Sequence, residues 1–191
     1  MEKLYWEPAT MLAPLPPVMV SCGSMEKANI ITIGWTGIIN TEPAMTYVSI
    51  RPERYSYDMV KESGEFVINL TTKDLVAACD WCGVKSGRNY DKFKETGLTA
   101  EKGKRVNAPV IAESPVNIEC KVKEVVHLGS HDMFVAEIVG INVDSSIVDE
   151  NGRLCLEKAG LVSYAHGTYY ALGRSLGTFG FSTKKAMKVI R

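Results

Sequence analysis

The sequence predicts a mainly β fold with a few peripheral helices, a barrel or sandwich of about seven strands. Three observations predict it. Val116 to Val126 alternates, with Val116, Ile118, Cys120 and Val122 set against Asn117, Glu119, Lys121 and Lys123, as a half-buried strand does. Short apolar and β-branched runs recur between turn-rich connections. The helical patterns between them are few and short.

Pro17 to Cys22 reads as a first strand, closed by Gly23–Ser24. Two more follow, Ala28 to Thr36 and Ala44 to Ile50, joined by the turn-rich Asn40–Thr41–Glu42–Pro43. Arg51–Pro52–Glu53–Arg54–Tyr55–Ser56 then opens a helix over 57–64, with Ser56 as N-cap, Asp58 as a first-turn acid and Gly64 as the C-cap. Glu65 to Leu70 is another strand. Thr71 or Thr72 caps a helical run from Lys73 to Cys82, and a loop from Gly83 to Asn89 leads to a small helix near Asp91 to Glu95, ended by Gly97. Met133 to Val143 answers the alternating strand across Gly129–Ser130, and Asn151–Gly152 marks a tight hairpin between Ser146–Val148 and Leu154–Leu156. Residues 1–176 read as a single domain, and 177–191 as a C-terminal tail carrying glycines and lysines.

Composition narrows the setting. A chain of 191 residues suits one domain with a substantial core. Lysine plus arginine equals aspartate plus glutamate, 22 against 22, so no global field draws in nucleic acid or an anionic membrane. No run approaches the length of a transmembrane helix. The proline-broken segment from Met11 to Val20 is a poor signal peptide. With five cysteines, an odd count, the expectation is a cytoplasmic chain in a reducing compartment without a disulfide framework.

The turn from Arg51 to Ser56 carries the chemistry. Two guanidinium groups and a hydroxyl stand at a helix start, where amide N–H groups point outward and a phosphate dianion is stabilised. Arg51 and Arg54 could equally pair with Glu42, Glu53 or Asp58 on a solvated surface.

The order Asn29-x-x-Thr32-x-x-Trp35, Pro43, Arg51-x-x-Arg54-x-Ser56, Gly64-x-Phe66–Val67-x-Asn69 resembles the flavin reductase-like, FMN-binding split-barrel family. Later segments agree: Ser86–Gly87–Arg88-x-x-Asp91–Lys92–Phe93, then Glu113–Ser114–Pro115-x-Asn117-x-Glu119–Cys120, then Leu128–Gly129–Ser130–His131-x-x-Phe134-x-x-Glu137. Within the family the likeness is to the flavoredoxin and archaeal ferric reductase branch.

The resemblance implies an FMN-binding split β-barrel with the flavin near a homodimer interface. By that likeness Thr32, Ile33, Gly34, Trp35 and Thr36 meet the isoalloxazine and ribityl chain. Ser49, Ile50, Arg51, Arg54, Tyr55 and Ser56 hold the phosphate, and Lys85, Ser86 and Arg88 form a second contact loop. An isoalloxazine has an apolar end and a polar edge, which apolar strands ending in Thr32, Thr36 and Asn69 can meet together. His131 would orient NADPH or NADH, or balance charge beside the ring, and an ordinary turn histidine is the alternative. His166 is similar, among tyrosines that flank the flavin or form a core cluster. Cys79-x-x-Cys82 lacks a second ligand pair for zinc and the βαβ setting of a thioredoxin site, so both cysteines read as packing residues, with no metal expected.

Two functional classes follow. One is an oxidoreductase taking hydride from NADPH or NADH and passing electrons to free flavin, ferric iron or another acceptor. The other is a flavoredoxin-like electron carrier that exchanges electrons with a redox protein partner and has no nicotinamide site. A non-redox split barrel of the pyridoxamine-phosphate type, or simple FMN storage, is a third.

Overall fold

The computed structural model describes residues 2–183, so residues 184–191 of the expected tail lie outside the described residues. Seven strands form one antiparallel sheet: β1 (Val18–Gly23), β2 (Ala28–Ile33), β3 (Thr36–Thr41), β4 (Ala44–Ile50), β5 (Glu65–Leu70), and the long pair β8 (Val116–His127) and β9 (Asp132–Val143). Their order is β2-β1-β5-β8-β9-β4-β3. β2 and β4 stand far apart in that order, yet Ile31 and Ile33 of β2 share one core cluster with Val48 and Ile50 of β4. The sheet therefore curls on itself. Its edge strands β2 and β3 are not hydrogen-bonded to each other, and the result is a split barrel.

Alternation sets the layers. Val18, Val20 and Cys22 of β1 and Phe66 and Ile68 of β5 point into the barrel, where they meet Phe134 and Ala136. Met19 and Ile30 point outward, beneath helices α2 (Val76–Val84) and α3 (Lys92–Thr96). Val67 faces outward too, covered by Val106, Ala108 and Val110. Strands buried on both faces read as continuous apolar runs, which is why these were recognisable. Helix α1 (Tyr55–Ser63) plugs the barrel with Tyr57 and Val60. Two-residue strands β6 (Ala100–Glu101) and β7 (Val110–Ile111) pair with each other, as do β10 (Val162–Ala165) and β11 (Thr168–Ala171).

Several boundaries differ from the sequence reading. The expected strand over 28–36 breaks at Gly34–Trp35, and β3 begins a hairpin with β4. β3 lies at the sheet edge with Ile38 and Ile39 both exposed and a bulge beside them, so no alternation announces it. The N-cap of α1 is Arg54, in extended conformation, and not Ser56. Ser56 lies inside the first turn, where its hydroxyl accepts a hydrogen bond from Asn29 Nδ2 at 2.7 Å. Gly64 ends that helix as expected, left-handed at φ 65°, its N–H donating to Val60 C=O. α2 starts later than expected because Thr72 and Lys73 form a turn before it, each accepting a backbone bond from Leu75 and Val76. α3 ends at Gly97 as expected, and Asp91 caps its start by accepting from Lys94 N–H. Around Asn151–Gly152 a single bridge, Val148 to Leu154, replaces the expected strands.

Two buried polar side chains fasten the outer layer. Asn69 Nδ2 donates to Met19 C=O and to Ser21 Oγ, both at 2.9 Å, and its Oδ1 accepts from Ile111 N–H and Asn117 Nδ2. Glu119 is fully buried, and its carboxylate accepts from the N–H groups of Lys104, Arg105 and Val106 and from Asn142 Nδ2. Both pin the 102–111 segment over the sheet.

Candidate functional site

The seam of the barrel opens into a cleft of ≈ 380 Å³. The end of β2 and the β2–β3 turn form one wall through Ile31, Thr32, Ile33, Gly34 and Trp35. Ser49, Ile50 and Arg51 from the end of β4 form another, and Leu15, Tyr164 and Tyr169 a third. The tyrosines come from the β10–β11 hairpin, where their rings stand 5.1 Å apart, edge to face. Leu15 fastens that hairpin by a reciprocal backbone pair with Tyr164, and Tyr169 reaches Asp80 of α2 through its hydroxyl.

His131, just before β9, closes the cleft with its ring 4.4 Å from that of Trp35. Burial lowers its pKa, and the nearby Arg51 and Arg54 cations lower it further against the opposing pull of Glu53. The imidazole is therefore neutral near pH 7. Its neighbour Asp132 accepts from Tyr57 OH and lies 2.8 Å from His127 Nδ1. The bond to Asp132, with burial, pushes the Tyr57 hydroxyl up to about 12 and holds the Asp132 carboxyl below its usual range. This ties α1 to β9, which His131 directly precedes.

A second cavity of ≈ 170 Å³ adjoins the first, sharing Ile31 and Arg54. Its walls are Arg54, Tyr55 and Ser56 at the start of α1, the 85–88 loop after α2, and Lys92 at the start of α3. Lys92 is only 4 % exposed. Its Nζ donates to Cys82 C=O at 2.7 Å, and burial lowers its pKa. Among the described residues Lys92 has no ion pair; the one carboxylate that lines the cavity, Glu53, is paired with Arg51, so the buried cation has no anion of its own. Gly87 packs so closely that a Cβ there would collide with Asn29 Oδ1 and the Tyr55 ring. Arg88 donates to Glu53 C=O at 2.9 Å and stands over the Tyr55 ring. One apolar, aromatic slot thus runs into one small cationic pocket.

Of the expected site residues, Thr32, Ile33, Gly34, Trp35, Ser49, Ile50, Arg51, Arg54 and His131 line the larger cavity. Tyr55, Ser56, Lys85, Ser86 and Arg88 line the smaller. Three others are elsewhere. Thr36 has turned away along β3, its hydroxyl donating to Tyr47 C=O. Asn69 is fully buried, with its amide committed to the fold. His166 sits exposed in the β10–β11 turn at φ 44°. Arg51 also makes the surface pair that the sequence left open, with Glu53 at 3.0 Å.

Sequence reasoning missed Lys92, Asn29 and Leu15. Nothing in a lysine's identity signals burial, since lysine is almost never buried. Cys79 and Cys82 are free thiols packed with Leu75, Phe93 and Ile111, and Cys82 also touches the cationic pocket. Burial pushes its thiol up to about 11, away from the thiolate form. Among the described residues no cluster could hold a metal ion, and no helix is long and apolar enough to cross a membrane.

A family model described as the flavin reductase like domain matches residues 11–173. The flavoredoxin of Desulfovibrio vulgaris (Miyazaki F) superposes with a TM-score of 0.88 at 32% identity, over 96% of this chain and 100% of that one. A flavoredoxin from Methanosarcina acetivorans gives 0.89 at 25% identity, over 98% and 100%. A protein of Streptomyces viridifaciens named NADPH-flavin oxidoreductase is 25% identical over 150 residues, 76% of each chain.

Proposed function

The chain belongs to the flavin reductase-like family, and on that premise we propose that it binds FMN in the seam cleft and works as an NAD(P)H-dependent oxidoreductase. The observation that carries the reading is Lys92, a buried and unmatched cation at the end of an aromatic slot. A phosphate dianion there turns a desolvation cost into a charge-assisted contact. Lys92, Arg54, Lys85 and Arg88 line the pocket and offset its charge. The slot from Ile31 to Trp35, faced by Tyr164 and Tyr169, takes the planar ring and excludes water.

Bound FMN supplies the two-electron chemistry, and the protein supplies position and electrostatics. Arg51 and Arg54 keep positive potential where negative charge accumulates on reduction. The neutral His131, held against Trp35, presents a nitrogen to the cleft without adding charge, which suits orienting a nicotinamide. Held there, FMN would pass its electrons to free flavin, ferric iron or another acceptor. The homodimer, with the cleft near its interface, is part of the same reading.

The test reconstitutes the protein with FMN, removes oxygen and follows the visible flavin band after stoichiometric NADPH or NADH. Prompt bleaching, slowed at least tenfold in His131→Ala, is expected, since positioned groups contribute about that much or more. A band that only dithionite bleaches overturns the reductase reading in favour of the carrier, the activity class that the likeness to two flavoredoxins favours. Failure to take up FMN overturns both.

Gly87→Ala tests the pocket's shape. The added Cβ has no room against Asn29 and Tyr55, so the loop is displaced outward. FMN affinity should fall roughly tenfold, and about 1–3 kcal/mol of overpacking strain should lower Tm by several degrees as well. Fluorescence titration measures it, and an unchanged affinity would remove the 85–88 loop from the site.

A further inference from the structure

We infer that Asp132 is a positioning residue for His131: its buried carboxylate, held by Tyr57 and His127, fixes where the imidazole stands relative to the cationic pocket. The inference deepens the reductase reading and rests on it, since only there does His131 orient a nicotinamide.

His131 hangs from an exposed turn. Leu128, Gly129 and Ser130 before it all face solvent, and the turn carries a backbone bond from Leu128 N–H to His131 C=O at 3.0 Å. The ring itself meets Trp35, which is 40 % exposed, and the Ser130 hydroxyl, 3.0 Å from Nδ1. None of these partners is buried. The residue that follows is, for Asp132 is only 5 % exposed.

A carboxylate is an unexpected choice at that position. Asp132, Phe134 and Ala136 alternate onto the buried face of β9, and the last two pack in the barrel core. An apolar side chain would pack beside them, whereas a buried carboxylate has to be offset by partners. Tyr57 OH donates to its Oδ2, and His127 Nδ1 lies 2.8 Å from the same oxygen. A buried charge adds little stability over a well-packed apolar residue; what it adds here is one defined geometry.

The partners stand where that geometry matters. Tyr57 directly follows Ser56 in the first turn of α1, and Arg54, Tyr55 and Ser56 line the cationic pocket. His127 lies opposite Asp132 on β8 and holds the carboxylate from within the hairpin. One side-chain bond thus runs from the phosphate end of the site to the residue beside the imidazole. A ligand anchored at one end needs the other at a fixed reach, because a misplacement of about 1 Å can cost about a hundredfold in rate.

The test compares the full-length wild type with Tyr57→Phe, Asp132→Ala and Asp132→Asn. The chain has three histidines, so NMR resolves the imidazole protons of the apoprotein, and the Trp35 ring displaces those of His131. Tyr57→Phe and Asp132→Ala should move the His131 signals toward those of a free imidazole. Loaded with FMN, both should be reduced about tenfold more slowly at saturating NADPH, with FMN affinity within about threefold of wild type. Asp132→Asn keeps an accepting oxygen for Tyr57 and should restore most of both losses. Tyr57→Phe carries the test alone if Asp132→Ala does not fold. Wild-type His131 signals and reduction rate in these variants, even with a lowered Tm, would make Asp132 a structural residue and overturn the inference. Asp132→Asn as impaired as Asp132→Ala would overturn it too, since charge and not placement would then be at work. Displaced His131 signals in the variants of a chain whose FMN no nicotinamide reduces would uphold the placement and overturn the reductase reading instead.

Discussion

Replacing Lys92 by methionine is expected to weaken FMN binding about a hundredfold while leaving the apoprotein as stable as before, or more so. The two halves of that result have one cause. Methionine fills nearly the same volume and removes a desolvated charge that no carboxylate offsets. The folded apoprotein loses one bond, from Nζ to Cys82 C=O, and is relieved of burying an ammonium group. On the proposed reading the complex would lose its least hydrated phosphate contact, and truncating a buried charge pair costs roughly 2–5 kcal/mol. The exposed Arg88 should matter less, because surface charges are screened. Calorimetric titration with FMN and a thermal melt of the apoprotein read the two halves separately. An unchanged affinity would remove the phosphate from this pocket, and a fall in apoprotein Tm would mean that Lys92 is a structural residue.

Glu119→Gln should do the reverse, lowering stability without touching the cleft. Its carboxylate accepts three backbone N–H groups of the 104–106 segment and the Asn142 amide. Glutamine keeps one accepting oxygen and turns an NH₂ group toward donors. At pH 7 the loss should be about 3 kcal/mol, the scale of buried donors left unpaired. For a chain of this size that is roughly 10 °C in Tm. The effect depends on pH with a definite sign. Burial alone would raise this carboxyl's pKa, but the accepted hydrogen bonds prevail and hold it below its ordinary value of 4.5. Its contribution is therefore complete above pH 4.5 and is lost as the pH falls through the lower folded value. Wild type and variant should differ most near neutrality and converge in acid, as urea titrations at several pH values would show. Parallel pH profiles would mean that the carboxylate is not the fastener.

The core of the fold was legible because burial on both faces leaves plain marks. β1, β2 and β5 read as apolar runs, and β8 alternates because one face meets the barrel interior and the other meets water for much of its length. α3 was legible from the Gly97 that ends it. β3 was not, since an edge strand on an open seam has no core face to pattern. β10 and β11 escaped for a related reason, as only Val162 among their residues is buried.

At the site, the segments from Thr32 to Trp35 and from Ser49 to Ser56 were found through family likeness and helix-start chemistry, and both line the cleft. Asn69 misled because an amide at the end of a strand looks the same whether it faces a ligand or a neighbouring backbone. Ser56 misled because a hydroxyl near a helix start implies a cap, whereas a partner 27 residues away, Asn29, had already claimed it. Lys92 stood in the segment Asp91–Lys92–Phe93 that carries the family likeness, yet its significance lies in its depth, which no local pattern records.

The staves β1, β5 and β8 contribute no residue to either cavity. The larger cavity is lined by the edge strand β2, the end of β4 and the β10–β11 hairpin, and the smaller by β2, the helices α1 to α3 and the loops beside them. Substitutions that retune what the cleft accepts thus fall on segments the interior does not depend on for its shape, apart from Ile31, Ile33 and Ile50, which serve both. New specificities can accumulate here without eroding the frame, and the frame can drift without disturbing the chemistry. An architecture divided in this way is open to divergence, because inherited change in one half is seldom vetoed by the other.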